Sequence, residues 1–236
     1  MANWGRLYLV RHGHVDYFDA EHRPINPKFA ALSGQGRQQI QLLAEQMQDL
    51  PLDCIYSSSL LRAEQTATIL AAERDLPIQK IADFCEIRSG RLRDIQLDQA
   101  EILIKYAYAA ADHQLEQFMQ GEHWQAFQDR VLTALQQILI QHPAQQILIA
   151  AHDAVNRVII NWVYGQTEHH FYVQEQHYGC LNIIDYLVQD QQVLQKRLQL
   201  QNYTPYNILK INQQHSAMDE IYRMYQQANG FQELKT

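Results

Sequence analysis

Short apolar runs along the chain alternate with stretches whose apolar positions recur every three or four residues, the pattern of strands interleaved with helices. Residues 6–11 form an apolar-rich run ending in His12-Gly13, too short for a helix and read as a buried strand. A loop rich in Asp, Pro and Asn follows to Lys28. Ser33 then suits the N-cap of a helix to about Asp49, in which Ile40, Leu43, Ala44 and Met47 share one face, and Pro51 ends it. Residues 54–57 read as a second strand, and the Ser57-Ser58-Ser59 cluster offers N-caps for a helix through about Glu73. Residues 77–81 predict a third strand. From 88 to 141 the pattern is helical, with one segment at about 99–119 and another from Glu122, divided at Gly121. The run QILIAA at 146–151 is the most hydrophobic strand candidate and stops at His152. Val155, Val158, Ile159, Trp162 and Val163 then mark a helix ending at Gly165. Residues 180–187 and 192–200 bracket Gln189-Asp190-Gln191 as a hairpin.

This order predicts an α/β three-layer sandwich: a mainly parallel sheet with helices on both faces and the hairpin as an antiparallel edge. At 236 residues the expectation is one domain, with a helical cap insertion at about 88–141 and a helical tail at about 203–236. In the tail, Met218, Ile221, Tyr222 and Tyr225 make an apolar stripe suited to packing on the same domain or on a second subunit, so a homodimer stays open.

Composition adds little, since 47% hydrophobic and 19% charged residues describe an ordered globular chain. Charge excludes more. The 19 Lys and Arg against 26 Asp and Glu give −7 with no dense basic run, which argues against a nucleic-acid partner. The start of the chain to Leu9 has neither the basic opening nor the apolar stretch of a secretory signal. No apolar run approaches the roughly 18 residues of a membrane span, so a cytoplasmic protein free of membranes is expected. Cys54, Cys85 and Cys180 lack a metal-type spacing and are expected as small buried hydrophobes.

Ligands of open α/β sheets gather where strands end, because loops and helix N-termini converge there. Arg11 and His12 close the first strand and His152 closes the most hydrophobic one, so the two histidines stand side by side if those strands are neighbours. Arg62, about one turn into the helix after the second strand, lies near the same edge. An alternative uses some of the same residues. His12-Gly13-His14-Val15-Asp16 has the His-x-His-x-Asp spacing of dinuclear metallohydrolases, whose ligands suit zinc or iron. That motif normally carries a further His where Tyr17 stands, and the alternative leaves Arg11 beside a would-be dication and gives Arg62 no role. His169-His170 reads as a solvated loop pair.

Leu9-Val10-Arg11-His12-Gly13 resembles the phosphohistidine signature of the histidine phosphatase (phosphoglycerate mutase-like) superfamily. Four further blocks are similar and in order. They are Leu32-Ser33 with Gly36; Ile55-Tyr56-Ser57-Ser58 with Arg62-Ala63 and Gln65-Thr66-Ala67; Glu86-Ile87 with Gly90; and Ala151-His152 with Arg157. The resemblance spans roughly residues 7–165. It implies a phosphomonoester hydrolase that passes through a phosphohistidine and acts on a small phosphorylated metabolite, needing no metal or cofactor. It also implies a nucleophile at His12, an acid at Glu86, and phosphate contacts from Arg11, Arg62 and His152. The residue types agree with that chemistry. Arginine forks bind phosphoryl oxygens and stay charged at any working pH. Cations beside His12 lower its pKa and keep a ring nitrogen free to attack. His152, next to a helix N-terminus, is placed to donate to phosphoryl oxygens.

Three positions depart from the family pattern: His14 where an acid is usual, Phe18 where many members have an asparagine, and Asp153 where glycine is usual. Asp153 still offers its backbone amide to a phosphate, but its carboxylate disfavours a strongly anionic substrate, and Arg88 is the candidate compensating cation. Two other readings stay within the family. One is mutase-type phosphoryl transfer, which the few Lys and Arg between Glu86 and His152 serve poorly; the other is a catalytically weak phospho-ligand binding module. Tyr106, Tyr108, Phe118, Trp124 and Phe127 are candidates for lining the space that holds the rest of the substrate.

Overall fold

Alternation within two strands sets the architecture. Strand β1 (Gly5–Arg11) turns Leu7 and Leu9 into one apolar cluster and Tyr8 and Val10 into another on the opposite face. The computed structural model, which describes residues 3–19, 23, 25–72, 74–112, 116–165, 171 and 173–229, completes the sheet with five further strands. They are β2 (Cys54–Ser58), β3 (Ile78–Ile81), β4 (Gln146–Ala151), β5 (Leu181–Gln189) and β6 (Gln192–Tyr203), in the order β3-β2-β4-β1-β5-β6. β4 alternates as β1 does, with Ile147, Ile149 and Ala151 on one face and Leu148 and Ala150 on the other. The β1, β2, β3 and β4 pairings are parallel and those of β5 antiparallel, as expected for a mainly parallel sheet with an edge hairpin.

Helices cover both faces, which gives the expected three layers. Helices α1 (Gly34–Met47) and α2 (Leu61–Ala71) bury Ile40, Leu43, Met47, Ala67 and Leu70 against the Tyr8–Val10 face. On the other face, α4 (Trp124–Gln141) and α5 (Asp153–Tyr164) bury residues such as Val131, Leu135, Val155 and Ile159; a short α3 (Ala107–Asp112) precedes them. Ser33 caps α1 by accepting from the Gly36 amide at 3.1 Å, and Gly165 ends α5 at φ +73°, a conformation that glycine adopts without a Cβ penalty. The hairpin turns on Asp190 and Gln191, both at positive φ, and the β5–β6 pairing carries three register shifts. Among the described residues no helix is long and apolar enough to cross a membrane.

Several elements differ from the sequence-based expectation. α2 starts with Leu60 at its N-cap and has no side-chain cap, because Ser58 is buried at the strand end and accepts from the Leu60 amide instead. The helix expected at about 99–119 is replaced by a π turn (Glu101–Lys105), α3 and a 3-10 turn (Phe118–Gln120), while residues 113–115 lie outside those described. Met119 and Gln120 have positive φ, and the amides of Gly90 and Glu122 bond across to Met119 and Arg88 carbonyls, so the backbone there is tied to a neighbouring loop. Of the three cysteines only Cys180 is fully buried; Cys54 and Cys85 are half-buried, and all three are free thiols.

The tail forms α6 (Ala217–Ala228), entered through a reciprocal capping box between Ser216 and Asp219. Its stripe packs on the same chain. Met218 and Tyr225 join the larger apolar cluster, Ile221 and Tyr222 pack against it, and the Tyr225 hydroxyl donates to the Ile95 carbonyl at 2.7 Å.

One backbone approach fixes the loop after β1. A Cβ on Gly36 would collide with the His14 carbonyl and amide, and one on Gly13 would collide with the Gly36 carbonyl. Alanine ordinarily stabilises a helical position by ~1 kcal/mol over glycine. Here the obstacle is backbone, and overpacking of that kind typically costs ~1–3 kcal/mol. Gly36→Ala is therefore expected to lower the urea midpoint, and an unchanged or raised midpoint would show that the loop and α1 separate freely.

Candidate active site

The parallel register pairs Arg11 with Ala151, so the residues that follow, His12 and His152, leave adjacent strands side by side. Their ring centroids are 5.1 Å apart, edge to face, and both are buried. The His12 amide continues the ladder to the Ala151 carbonyl at 3.0 Å, which fixes the backbone at the point where the strand becomes a loop.

The His12 ring is oriented from both ends. Its Nδ1 lies 2.8 Å from the Gly13 carbonyl, and a carbonyl only accepts, so Nδ1 carries the proton. Nε2 accepts from the Arg62 Nε–H at 3.1 Å, which leaves the Nε2 lone pair facing the cations. Arg62 stands in the first turn of α2 and is anchored by donating to the Pro27 carbonyl at 2.7 Å. Arg11 donates to the Gln176 carbonyl and lies 4.0 Å over the Tyr178 ring, while its buried Nε has no hydrogen-bond partner. Burial, then Arg62 and Arg11, hold the His12 imidazole well below the usual histidine range. His152 is lowered likewise by burial, Arg62 and His12. Its Nε2 is 2.6 Å from the Ser58 hydroxyl, and its buried Nδ1 has no partner.

Glu86 approaches from the loop after β3. One carboxylate oxygen accepts from the Ile87 amide at 3.0 Å, the other from the Ala154 amide in the first turn of α5 at 3.4 Å. Burial and the negative charge of Asp153 raise its pKa, outweighing the amide and the two arginines that act against them. Asp153, buried at the start of α5, bonds Arg157 at 2.5 Å and lies 3.6 Å from Arg11. Its carboxylate thus faces two arginines. In front of these groups opens a cavity of about 1250 Å³, whose lining includes Arg11, Arg62, Glu86 and Asp153.

These observations sort the sequence candidates. Arg11, His12, Arg62, Glu86, His152 and Asp153 come together at one sheet edge. Arg88 is largely exposed and bonded to Glu122 at 3.1 Å, so it rims the cavity rather than compensating Asp153. Phe18, Tyr108 and Phe118 line the cavity, whereas Trp124 stacks on Phe171 and Phe127 is fully buried in the core; Tyr106 is half-buried beside Lys105. The His-x-His-x-Asp residues diverge: His14 turns its Nδ1 to Ser33 at 2.9 Å and Asp16 is exposed. Among the described residues no three His, Cys, Asp or Glu side chains are grouped to hold a metal ion; His169-His170 lie outside those residues.

Sequence reasoning missed Tyr178 and Ser58. Tyr178 sits between Arg11 and His14, its ring 5.1 Å from that of His14, and Ser58 meets His152. The signal for Tyr178 was its place just ahead of the hairpin strand that pairs with β1; nothing in the sequence set Ser58 apart from its two serine neighbours.

A family profile described as the histidine phosphatase superfamily (branch 1) matches residues 7–199. The chain belongs to this superfamily. Among relatives, the adenosylcobalamin/alpha-ribazole phosphatase of Escherichia coli is 29% identical over 192 residues, covering 76% of this chain and 89% of that one. Phosphoserine phosphatase 1 of Hydrogenobacter thermophilus is 28% identical and covers 65% of this chain and 74% of its own. The crystal structure of the alpha-ribazole phosphatase from Shigella flexneri superposes with a TM-score of 0.67 at 26% identity, over 84% of this chain and 96% of that one. The fold and the family implied by the five sequence blocks are thus those found.

The buried histidines make stability depend on pH. A histidine whose folded pKa is depressed takes up a proton more readily unfolded, so its contribution is complete above the unfolded value of ~6.5 and is lost as pH falls below it. Between about pH 7 and about pH 5.5 the urea midpoint is expected to fall, each histidine costing up to ~1.4 kcal/mol per pH unit below its unfolded value. His12→Gln should flatten that slope; an unaltered slope would mean that His12 protonates freely in the folded protein.

Proposed function

We propose that this histidine phosphatase hydrolyses phosphate monoesters of small metabolites through a phosphohistidine on His12. The observation that carries the reading is the hydrogen-bond pair on the ring, Nδ1–H to Gly13 and Nε2 from Arg62, which makes Nε2 the nucleophilic atom. Phosphoryl oxygens approaching Arg11 and Arg62 replace the lone pair as the partner of the Arg62 fork, leaving Nε2 to attack phosphorus. The P–Nε2 bond forms as the bond to the ester oxygen breaks, and Glu86 gives its proton to the departing alkoxide. Water then attacks phosphorus on the other side of the cycle: Glu86, now a carboxylate, takes its proton, the P–Nε2 bond breaks, and inorganic phosphate leaves with His12 restored.

Each remaining group has a part in this scheme. His152, kept neutral by burial and cations, donates to a phosphoryl oxygen from Nδ1, the ring nitrogen without a partner. Asp153 raises Glu86, which favours the protonated form an acid needs, and offsets part of the charge of Arg11. The names of the relatives, alpha-ribazole phosphatase and phosphoserine phosphatase, favour hydrolysis over mutase chemistry. The reading places the enzyme in the cytoplasm acting on free phosphate esters, and the net charge of −7 argues against nucleic acid as a partner. In this reading the chain works as one unit, the segment at about 88–141 and the tail at about 203–236 both supplying residues to the cavity.

Two experiments test the scheme. Brief incubation with labelled substrate and an alkaline quench should leave an acid-labile label on the wild type and none on His12→Ala, which also loses nearly all turnover. A label that survives acid, or that persists on His12→Ala, removes His12 as the nucleophile. The acid role is read from a contrast. Positioned proton transfer is typically worth ~10²–10⁴ in rate, and most of it is needed by poor leaving groups. Glu86→Gln is therefore expected to slow an alkyl phosphate by about that factor and p-nitrophenyl phosphate far less; equal losses would leave Glu86 a merely structural residue.

A further inference from the structure

The family profile ends at residue 199, yet three residues well beyond it form part of the cavity in front of Arg11 and Arg62: Ala217, Met218 and Ile221, all on α6. They are held there by several independent contacts. The Ser216–Asp219 capping box starts the helix, Tyr225 donates to the Ile95 carbonyl, and Lys105 lies 6.0 Å from the Tyr222 ring. Met218 is 5% exposed, because it packs into the main apolar cluster.

The lining that shares the cavity with α6 has further apolar members among its polar ones. Ile87, Leu92, Phe118 and Met119 are among them, and Phe18 and Tyr108 extend the apolar lining beside the catalytic arginines. Of the other cations in the lining, Lys28, Arg88, Arg91 and Arg93 are exposed, and the more buried Arg130 is already engaged by the Glu122 carboxylate and the carbonyls of Asp83 and Cys85. The volume of about 1250 Å³ exceeds the ~300–1,000 Å³ usual for sites that hold drug-sized ligands, so a phosphate on Arg11 and Arg62 fills only one end. A polar alcohol in the rest of that space would give up hydrogen bonds to water and find few partners on these side chains. An apolar one would gain by leaving water, and flexible methionines such as Met119 and Met218 adapt to irregular shapes.

We infer that α6 is a specificity wall, and that the site prefers phosphate monoesters whose alcohol is bulky and apolar or aromatic, seated between Met218 and Ile221 on one side and Leu92, Phe118 and Met119 on the other. This rests on the phosphatase reading and names the substrate class of the same site.

The test compares two alkyl esters, so that the need for a leaving-group proton is shared: phenethyl phosphate and glycerol phosphate. The wild type should favour phenethyl phosphate in kcat/KM. Ile221→Asp, at a half-exposed position that accepts a charge, should lower the ratio of the two kcat/KM values about ten-fold, equivalent to ~1.4 kcal/mol. Met218→Ala should lower the ratio less, by shortening the wall. If both esters slow by one common factor in both variants, α6 only props the fold and the inference is overturned. Calorimetric titration with benzylphosphonate and methylphosphonate reads the wall without turnover: the wild type should bind the benzyl compound more tightly, and Ile221→Asp should lose that preference. Equal binding of the two by the wild type overturns the inference. Selective binding without hydrolysis of either ester leaves the wall standing and removes the phosphatase reading instead.

Discussion

The in-register parallel pairing of β1 with β4 is the constraint on which the site depends. It puts His12 and His152 one residue past the ends of neighbouring strands, where the ladder stops and side chains are free to leave the sheet plane. Because β1 is also paired to β5 on its other side, the nucleophile stands on a central strand with no edge freedom. Everything charged then arrives from elsewhere: Arg62 from the first turn of α2, Glu86 from the loop after β3, and Asp153 from the start of α5. A shift of the β1–β4 register by one residue would turn one histidine to the opposite face and dissolve the pair.

The site holds fixed cations and anions in a deliberate ratio. Arg11, Arg62 and Arg157 face Asp153 and Glu86, and the more buried of these two carboxylates, Asp153, is one of the three departures from the family pattern. It acts in two directions at once. It strengthens Arg11 as a permanent cation, although burial works against that charge, and it raises the pKa of Glu86. The sequence allowed only the expectation that an added carboxylate would repel an anionic substrate. The distances show that its charge is largely taken up by Arg157 and Arg11.

What was legible in the sequence followed from local rules. The strands β1 and β4, the Ser33 cap, the Gly165 stop and the hairpin all have short-range signatures; the structure has them within a residue or so, except that the hairpin strands end two and three residues later than expected. The candidates Arg11, His12, Arg62, His152 and Asp153 were legible because they fall at strand ends and helix starts; Glu86, in the loop after β3, was legible only through the family resemblance. The turn at Phe118–Gln120 was not, since the backbone there is tied to residues 88–90, which are distant in sequence. Tyr178 and Ser58 were missed for a similar reason: their contacts are set by which strand lies beside which, and the place of Tyr178 ahead of the hairpin was the one signal that either had. The tail was read as an apolar stripe with two possible partners, and only the Tyr225–Ile95 bond and the burial of Met218 assign it to its own chain.

The edges of the sheet carry a consequence for assembly. At one end β3 is four residues long and its Lys80 is bridged to Glu64, so little backbone is offered to a visiting strand. At the other end β6 is twelve residues long, but its register slips against β5 and Lys196 and Arg197 lie over Trp162 and Trp4. Short, charged or irregular edges of this kind discourage strand addition. The sheet is in that sense self-terminating, since both of its edges discourage lengthening by a strand from another copy of the chain.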